Sequence, residues 1–128
     1  MRFYLALWFS KFLNFIINII DDSKGSNFSG DKALKIDPLF ISHFKSIDKS
    51  KVVFITGTNG KSTTNNLTNH IIKKSGYSVV SNLEGANLIS GIATALLKAS
   101  TLGGSVISDY YIFEIDERFL PLIHKQLP

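Results

Sequence analysis

Lys61, Ser62, Thr63 and Thr64 follow Gly60 directly in the stretch VVFITGTNGKSTTNNL, residues 52–67. One ammonium and three hydroxyls behind a glycine-rich turn suit a polyphosphate. In Gly57-Thr58-Asn59-Gly60 the glycines let backbone N–H groups turn inward and approach phosphate oxygens closely. A helix opening near Lys61 adds the positive end of its dipole. Lys61 would reach the β- and γ-phosphates of a nucleotide. The hydroxyl of Ser62 or Thr63 would hold Mg²⁺ or a phosphate oxygen. The general nucleotide-binding pattern asks for another glycine at position 55, where this chain has Ile55. The competing reading is a plain strand-to-helix turn with an exposed lysine. A strand before, a helix after and hydroxyls behind the lysine argue against it.

A metal–nucleotide site also needs a carboxylate, because Mg²⁺ is held by one or two carboxylates together with phosphates and water. Glu114, Asp116 and Glu117 close a run of strand-forming residues, YYIFEI. Strand alternation would put Glu114 and Asp116 on one side. Glu114 is the expected metal ligand. Asp116 and Glu117 are open between a metal role and a structural one, since Asp116 could simply cap the following helix. Glu84 and Asn87, in the loop NLEGAN, are weaker candidates for the border of a substrate site.

The elements that must position these residues follow from periodicity. Lys51 to Thr56 reads as a buried strand, and Lys61 onward as a helix with Leu67, Ile71 and Ile72 along one side and Asn65, Asn66 and Asn69 elsewhere. Gly76 is a C-cap candidate. YSVVS is a second strand, Asn87 an N-cap, and Leu88 to Ser100 an apolar helix rich in small residues. YYIFEI is the third strand. Strands alternating with helices predict an α/β fold with a parallel sheet, whose ligands bind beyond the carboxyl ends of the strands. Asp37-Pro38 predicts the start of a short helix running through PLFISHFKSI.

The first 36 residues are set apart as an amphipathic helix and a linker, with 37–128 forming the ligand-binding part. RFYLALWFSKFLNFIINII approaches the length of a membrane span. Yet Ser10, Lys11, Asn14, Asn18, Asp21 and Asp22 recur every three or four residues, which lines them along one side of a helix. An amphipathic helix is therefore expected, packed on protein or lying at a membrane surface, with a transmembrane anchor as the alternative. Residues 21–36, DDSKGSNFSGDKALKI, have the composition of a connecting segment.

An apolar fraction of 45% with 19% charged residues belongs to a folded chain, not a disordered one. The net charge of +4 rests on twelve lysines and two arginines spread along the chain, without the arginine-rich runs of a nucleic-acid arm. Zero cysteines exclude disulfides and thiolate zinc sites within these 128 residues and suit a cytoplasmic setting.

TGTNGKSTT is similar to the phosphate loop of the Mur ligases, whose form lacks the first glycine of the general pattern. EIDE looks like the segment in which those enzymes carry a magnesium-binding glutamate. The segments NLEGANLISGIATALL, LALWFSKFLN, DP at 37–38 and IDERFLP narrow the resemblance to the MurT subunits of lipid II isoglutaminyl synthases. That resemblance implies part of a Mur ligase central domain and an ATP-dependent amidation. The α-carboxylate of D-glutamate in the lipid II stem peptide would be activated as an acyl phosphate. Ammonia from a GatD-like glutaminase would then give D-isoglutamine. By matched position, Lys61 would hold the γ-phosphate, Ser62 and Glu114 would serve Mg²⁺, and Gly57 to Gly60 would wrap the phosphates. Family members also carry the rest of the central domain, a cysteine-containing zinc ribbon and a C-terminal domain. A truncated chain, without half of the site that activity needs, is thus the expectation. Another Mur-type ligase, acting on muramyl peptides or folylpolyglutamate, and a non-catalytic nucleotide-binding unit are the alternatives. The expected setting is cytoplasmic, with peripheral contact at the inner face of the cell membrane and no nucleic-acid partner.

Overall fold

The computed structural model describes residues 1–20, 27–83 and 87–127. Its elements run α1 (Arg2–Ile20), α2 (Phe28–Ile36), β1 (Val52–Ile55), α3 (Lys61–Lys74), β2 (Val79–Ser81), α4 (Ile89–Ala99), β3 (Tyr110–Glu114) and α5 (Leu120–Gln126), with short 3₁₀ turns between some of them. The three strands form a parallel sheet in the order β1-β3-β2. The α/β class with a parallel sheet is as the alternation of strands and helices predicts.

β3 is central because its sequence can be buried on both faces. Tyr111, Ile112 and Phe113 are all inaccessible to solvent, as expected of a strand covered above and below. Tyr111 and Phe113 join a core with Ile92, Leu96 and Leu97 of α4, Leu7 of α1, Ala33 of α2, and Phe40 and Phe44 of the segment before β1. Burial raises the Tyr111 phenol above its ordinary pKa, and its hydroxyl donates to the Val106 carbonyl at 3.1 Å.

Both long helices with mixed faces sit the other way round from the usual arrangement. On α1 the polar residues Ser10, Lys11 and Asn14 turn toward the protein, while Asn18 is exposed and Asp21 and Asp22 lie outside the described residues. Ser10 is buried, and Lys11 Nζ donates to the carbonyls of Leu97 and Ser100 at 2.8 and 2.6 Å. A cation at the carboxyl end of α4 meets carbonyls with no helical partner and the negative end of the dipole. Partial burial of Lys11 holds its pKa below the usual lysine value. Phe3, Ala6 and Leu7 complete the inward face, while Tyr4, Trp8, Phe9, Phe12, Phe15 and Ile19 face outward. No helix among the described residues is long and apolar enough to cross a membrane.

On α3 the buried residues are Asn65 and Asn69, whereas Leu67 and Ile71 are exposed. Asn69 Nδ2 donates to the Asn65 Oδ1 and carbonyl, both at 2.9 Å, and Ser81 Oγ donates to Asn65 Oδ1 at 3.2 Å. This pairing gives a polar helix face a reason to lie on the sheet.

Two stretches differ from their sequence expectation. The segment read as a linker forms α2 from Phe28 onward. Its small residues Ser29, Gly30 and Ala33 are buried, and Gly30 lies against α4, where a Cβ would stand 2.2 Å from the Ser90 carbonyl oxygen. Glycine there serves close packing, not chain flexibility. Beyond Pro38 only a 3₁₀ turn forms, Phe40–His43. The Asp37 carboxylate accepts from Leu39 N–H at 3.0 Å, which closes a turn in place of capping a longer helix.

Candidate functional site

At the carboxyl edge of the sheet β1 ends at Ile55 and the chain turns through Gly57-Thr58-Asn59-Gly60 into α3. Gly57 has φ +144° and Gly60 φ +76°. A Cβ on Gly60 would meet nothing within 4 Å. Its requirement is therefore backbone conformation, not space. Thr58, Asn59, Gly60, Ser62 and Thr63 are exposed to solvent. Lys61 folds back across the loop, and its Nζ donates to the Gly57 carbonyl at 2.5 Å. The ammonium thus lies over the curl of backbone where an anion would be received.

β3 ends beside this loop, because Ile55 pairs in register with Glu114. Ser62 Oγ donates to Glu114 Oε1 at 3.0 Å. The hydroxyl and carboxylate expected to share a metal are in contact across the gap between α3 and β3. Ser62, not Thr63, makes that bond. The pair is an oxygen-donor set of the kind a hard cation takes. Among the described residues no group of three His, Asp or Glu side chains gathers to hold a metal. A Mg²⁺ ion at Ser62 and Glu114 would therefore take its remaining ligands from phosphate and water, as magnesium commonly does.

Asp116 has another task. It caps the 3₁₀ turn Glu117–Phe119, its Oδ1 accepting from Arg118 N–H at 3.0 Å and from Arg118 Nε at 2.9 Å. Arg118 Nη2 reaches its second oxygen at 2.7 Å. These bonds with Arg118 lower the Asp116 pKa well below the usual carboxylate range, and the nearby Lys61 charge adds a little. Glu117 is exposed. Asn87 is not the cap of α4, which is Leu88 without a side-chain bond. Its carbonyl instead accepts from Asp116 N–H at 2.9 Å, so the loop before α4 touches the acidic run. Glu84 lies outside the described residues.

Sequence reading overlooked Asn82. It is buried just past β2, and its side-chain amide bonds both the N–H and the carbonyl of Glu114. A lone polar residue after Val-Val-Ser was its only signal.

Over 105 residues the chain is 34% identical to the lipid II isoglutaminyl synthase (glutamine-hydrolyzing) subunit MurT of Staphylococcus aureus strain COL; the match takes in 81% of the chain and 23% of that relative. It is 39% identical over 103 residues to the subunit of the same name from Streptococcus pneumoniae strain ATCC BAA-255 / R6, with 78% and 22% covered. The chain is a MurT homologue. It spans less than a quarter of the length of these MurT subunits. No family model matches the chain, and no solved structure does. The turn, helix and carboxylate described above meet at one sheet edge within this chain.

Proposed function

We propose that this chain is the ATP-binding part of a MurT-like ligase subunit. The observation that carries the reading is the Ser62–Glu114 contact next to a phosphate-type loop closed by Lys61. Gly57 to Gly60 would wrap the phosphates, Lys61 would pair with the γ-phosphate, and Ser62 and Glu114 would hold Mg²⁺. The metal would supply charge neutralisation for phosphoryl transfer, which asks for positioning and electrostatics more than for a covalent nucleophile.

The reaction we assign to the whole protein is amidation of the D-glutamate α-carboxylate in the lipid II stem peptide, with ammonia from a GatD-like glutaminase. Homology to MurT, named as a subunit of a glutamine-hydrolyzing lipid II isoglutaminyl synthase, supports it. A Mur-type ligase of other specificity would share the loop, but the homology to MurT favours the amidating enzyme. Calorimetric titration of the chain with ATP, with and without Mg²⁺, tests the site. Joining these residues to the remainder of a MurT subunit and supplying a glutaminase and lipid II tests the reaction. Metal-dependent ATP binding and amidated lipid II are expected; ATP binding without amidation would leave a nucleotide-binding unit of another role.

The outward aromatic face of α1 supports a peripheral place at the membrane. Tyr4, Trp8, Phe9, Phe12 and Phe15 are exposed, and residues 1–20 carry Arg2 and Lys11 but no acid. Such a face suits the boundary between headgroups and acyl chains of an anionic surface.

A further inference from the structure

Successive residues of a strand send their backbone N–H and C=O groups to opposite sides within the sheet. At the end of β3 the alternation is visible, since Ile115 N–H donates to the Ile55 carbonyl on the β1 side at 3.0 Å. The N–H and C=O of Glu114 therefore face the β2 side. β2 has already ended there, its last registered pair being Ser81 with Ile112. Both groups of Glu114 would lack a strand partner at a semi-buried position.

Asn82 fills that place. Its Oδ1 accepts from Glu114 N–H at 2.9 Å, and its Nδ2 donates to the Glu114 carbonyl at 2.8 Å. The side-chain amide thus supplies the acceptor and the donor that two successive peptide groups of a longer, parallel β2 would have offered. Asn82 is only 4% exposed, so water would not readily replace it. A carboxamide is the side-chain group that offers one donor and one acceptor in this geometry.

We infer that Asn82 is a positioning residue for Glu114: by clamping its peptide on the side away from β1, it aims the carboxylate at Ser62 and so sets the strength of metal binding there. The inference rests on the metal–nucleotide reading above. Asn82 and Asn87 both bond this acidic run, Asn82 through the backbone N–H and carbonyl of Glu114 and Asn87 through its carbonyl, which accepts from Asp116 N–H. Groups orienting a metal ligand from behind commonly govern the affinity of the site as strongly as the ligand's own neighbours do.

The test uses the full 128-residue chain and two variants, Asn82→Asp and Asn82→Ala. Asn82→Asp is nearly isosteric; it keeps the acceptor for Glu114 N–H and loses the donor to the carbonyl. Amide hydrogen exchange without ligand reads the clamp. Glu114 N–H should be protected in the parent chain and should exchange about tenfold faster or more in Asn82→Ala, while Phe113 N–H changes less. ATP titration with Mg²⁺ and with a chelator reads the positioning. In both variants the Mg²⁺-dependent gain in affinity should fall about tenfold or more, with metal-free affinity unchanged. Ser81→Ala, which disturbs the same strand end but not the clamp, should keep the gain. An unprotected Glu114 N–H in the parent chain would refute the clamp even if no variant folds. Faster exchange with an unaltered Mg²⁺ effect would reduce Asn82 to a strand-end cap and overturn the inference. A parent chain that binds no ATP would instead overturn the nucleotide reading, leaving the exchange result to decide the clamp.

Discussion

Ser62 and Glu114 are 52 positions apart in the chain and share a hydrogen bond of 3.0 Å between hydroxyl and carboxylate. The bond exists because β1 and β3 are parallel neighbours, and a parallel sheet brings the carboxyl ends of its strands to one edge. The residue opening α3 and the residue closing β3 then meet without either element bending. Lys61, one residue before Ser62, turns the other way, onto the Gly57 carbonyl. One cation and one carboxylate–hydroxyl pair thus flank the loop, which is the division of labour that a metal–triphosphate complex requires.

Replacing Lys61 by alanine should weaken Mg-ATP binding by about 10-fold to 100-fold, the scale of one lost charge-assisted hydrogen bond. The fold should survive, since the side chain contacts the rim of the loop and not the core. Calorimetry of both proteins, with their thermal unfolding recorded alongside, checks both halves. Equal affinities would mean that the turn is a connection and nothing more.

Glu114→Gln keeps shape and hydrogen-bonding capacity but removes the charge that a divalent cation needs. The variant should lose most of the Mg²⁺-dependent part of ATP affinity and keep the metal-free part. Asp116→Asn should keep the metal dependence, because Asp116 is engaged by Arg118. Parallel titrations with and without Mg²⁺ distinguish the two. The opposite pattern would transfer the metal role to Asp116.

The legible parts of this chain are those decided within a few residues. A strand, two glycines at positive φ and a helix lie within residues 52–74, and their side chains announce them locally. Gly76 likewise closes α3 as expected, with Gly76 N–H bonding the Lys73 carbonyl and Tyr77 N–H the Ile72 carbonyl. What spacing could not say was which face of a helix would be buried. For α1 and α3 the answer depends on distant partners: the carbonyls at the carboxyl end of α4 for Lys11, and Ser81 for Asn65 and Asn69. The composition of residues 27–36 resembles a loop because close helix crossing and loop flexibility select the same small residues. Asn82 was illegible for a related reason, since its role is defined by β2 ending before β3 does.

Gly30→Ala should destabilise the fold by about 1–3 kcal/mol or more, the usual cost of overpacking, because the new methyl would collide with α4 backbone. The contact is with the Ser90 carbonyl and the Thr94 backbone as well as its hydroxyl, so a rotamer change cannot relieve it. Gly103→Ala is the matched control. Its nearest neighbour for a Cβ is 3.7 Å away and its φ is not positive, so it should be close to neutral. Urea midpoints of the two variants against the parent provide the comparison. A neutral Gly30→Ala would mean that α2 and α4 are not packed as described.

The last prediction concerns the outward face of α1. Phe9, Phe12 and Phe15 are exposed by 49%, 61% and 63%, so their removal should cost the fold little, while any surface that receives them should lose their burial. Transfer of a phenylalanine side chain from water contributes about 1.5–3 kcal/mol when complete. Phe9→Ser with Phe12→Ser should therefore reduce partition into vesicles of anionic phospholipid by about tenfold or more, even if each ring is only partly inserted. The parent chain should float with such vesicles at low salt, bind neutral vesicles more weakly, and be released by carbonate, as a surface-bound helix would be. Phe3→Ser would be uninformative here because Phe3 belongs to the core. If the parent chain ignores both kinds of vesicle while the double serine variant only gains solubility, the face is covered by protein, and the membrane reading of α1 falls.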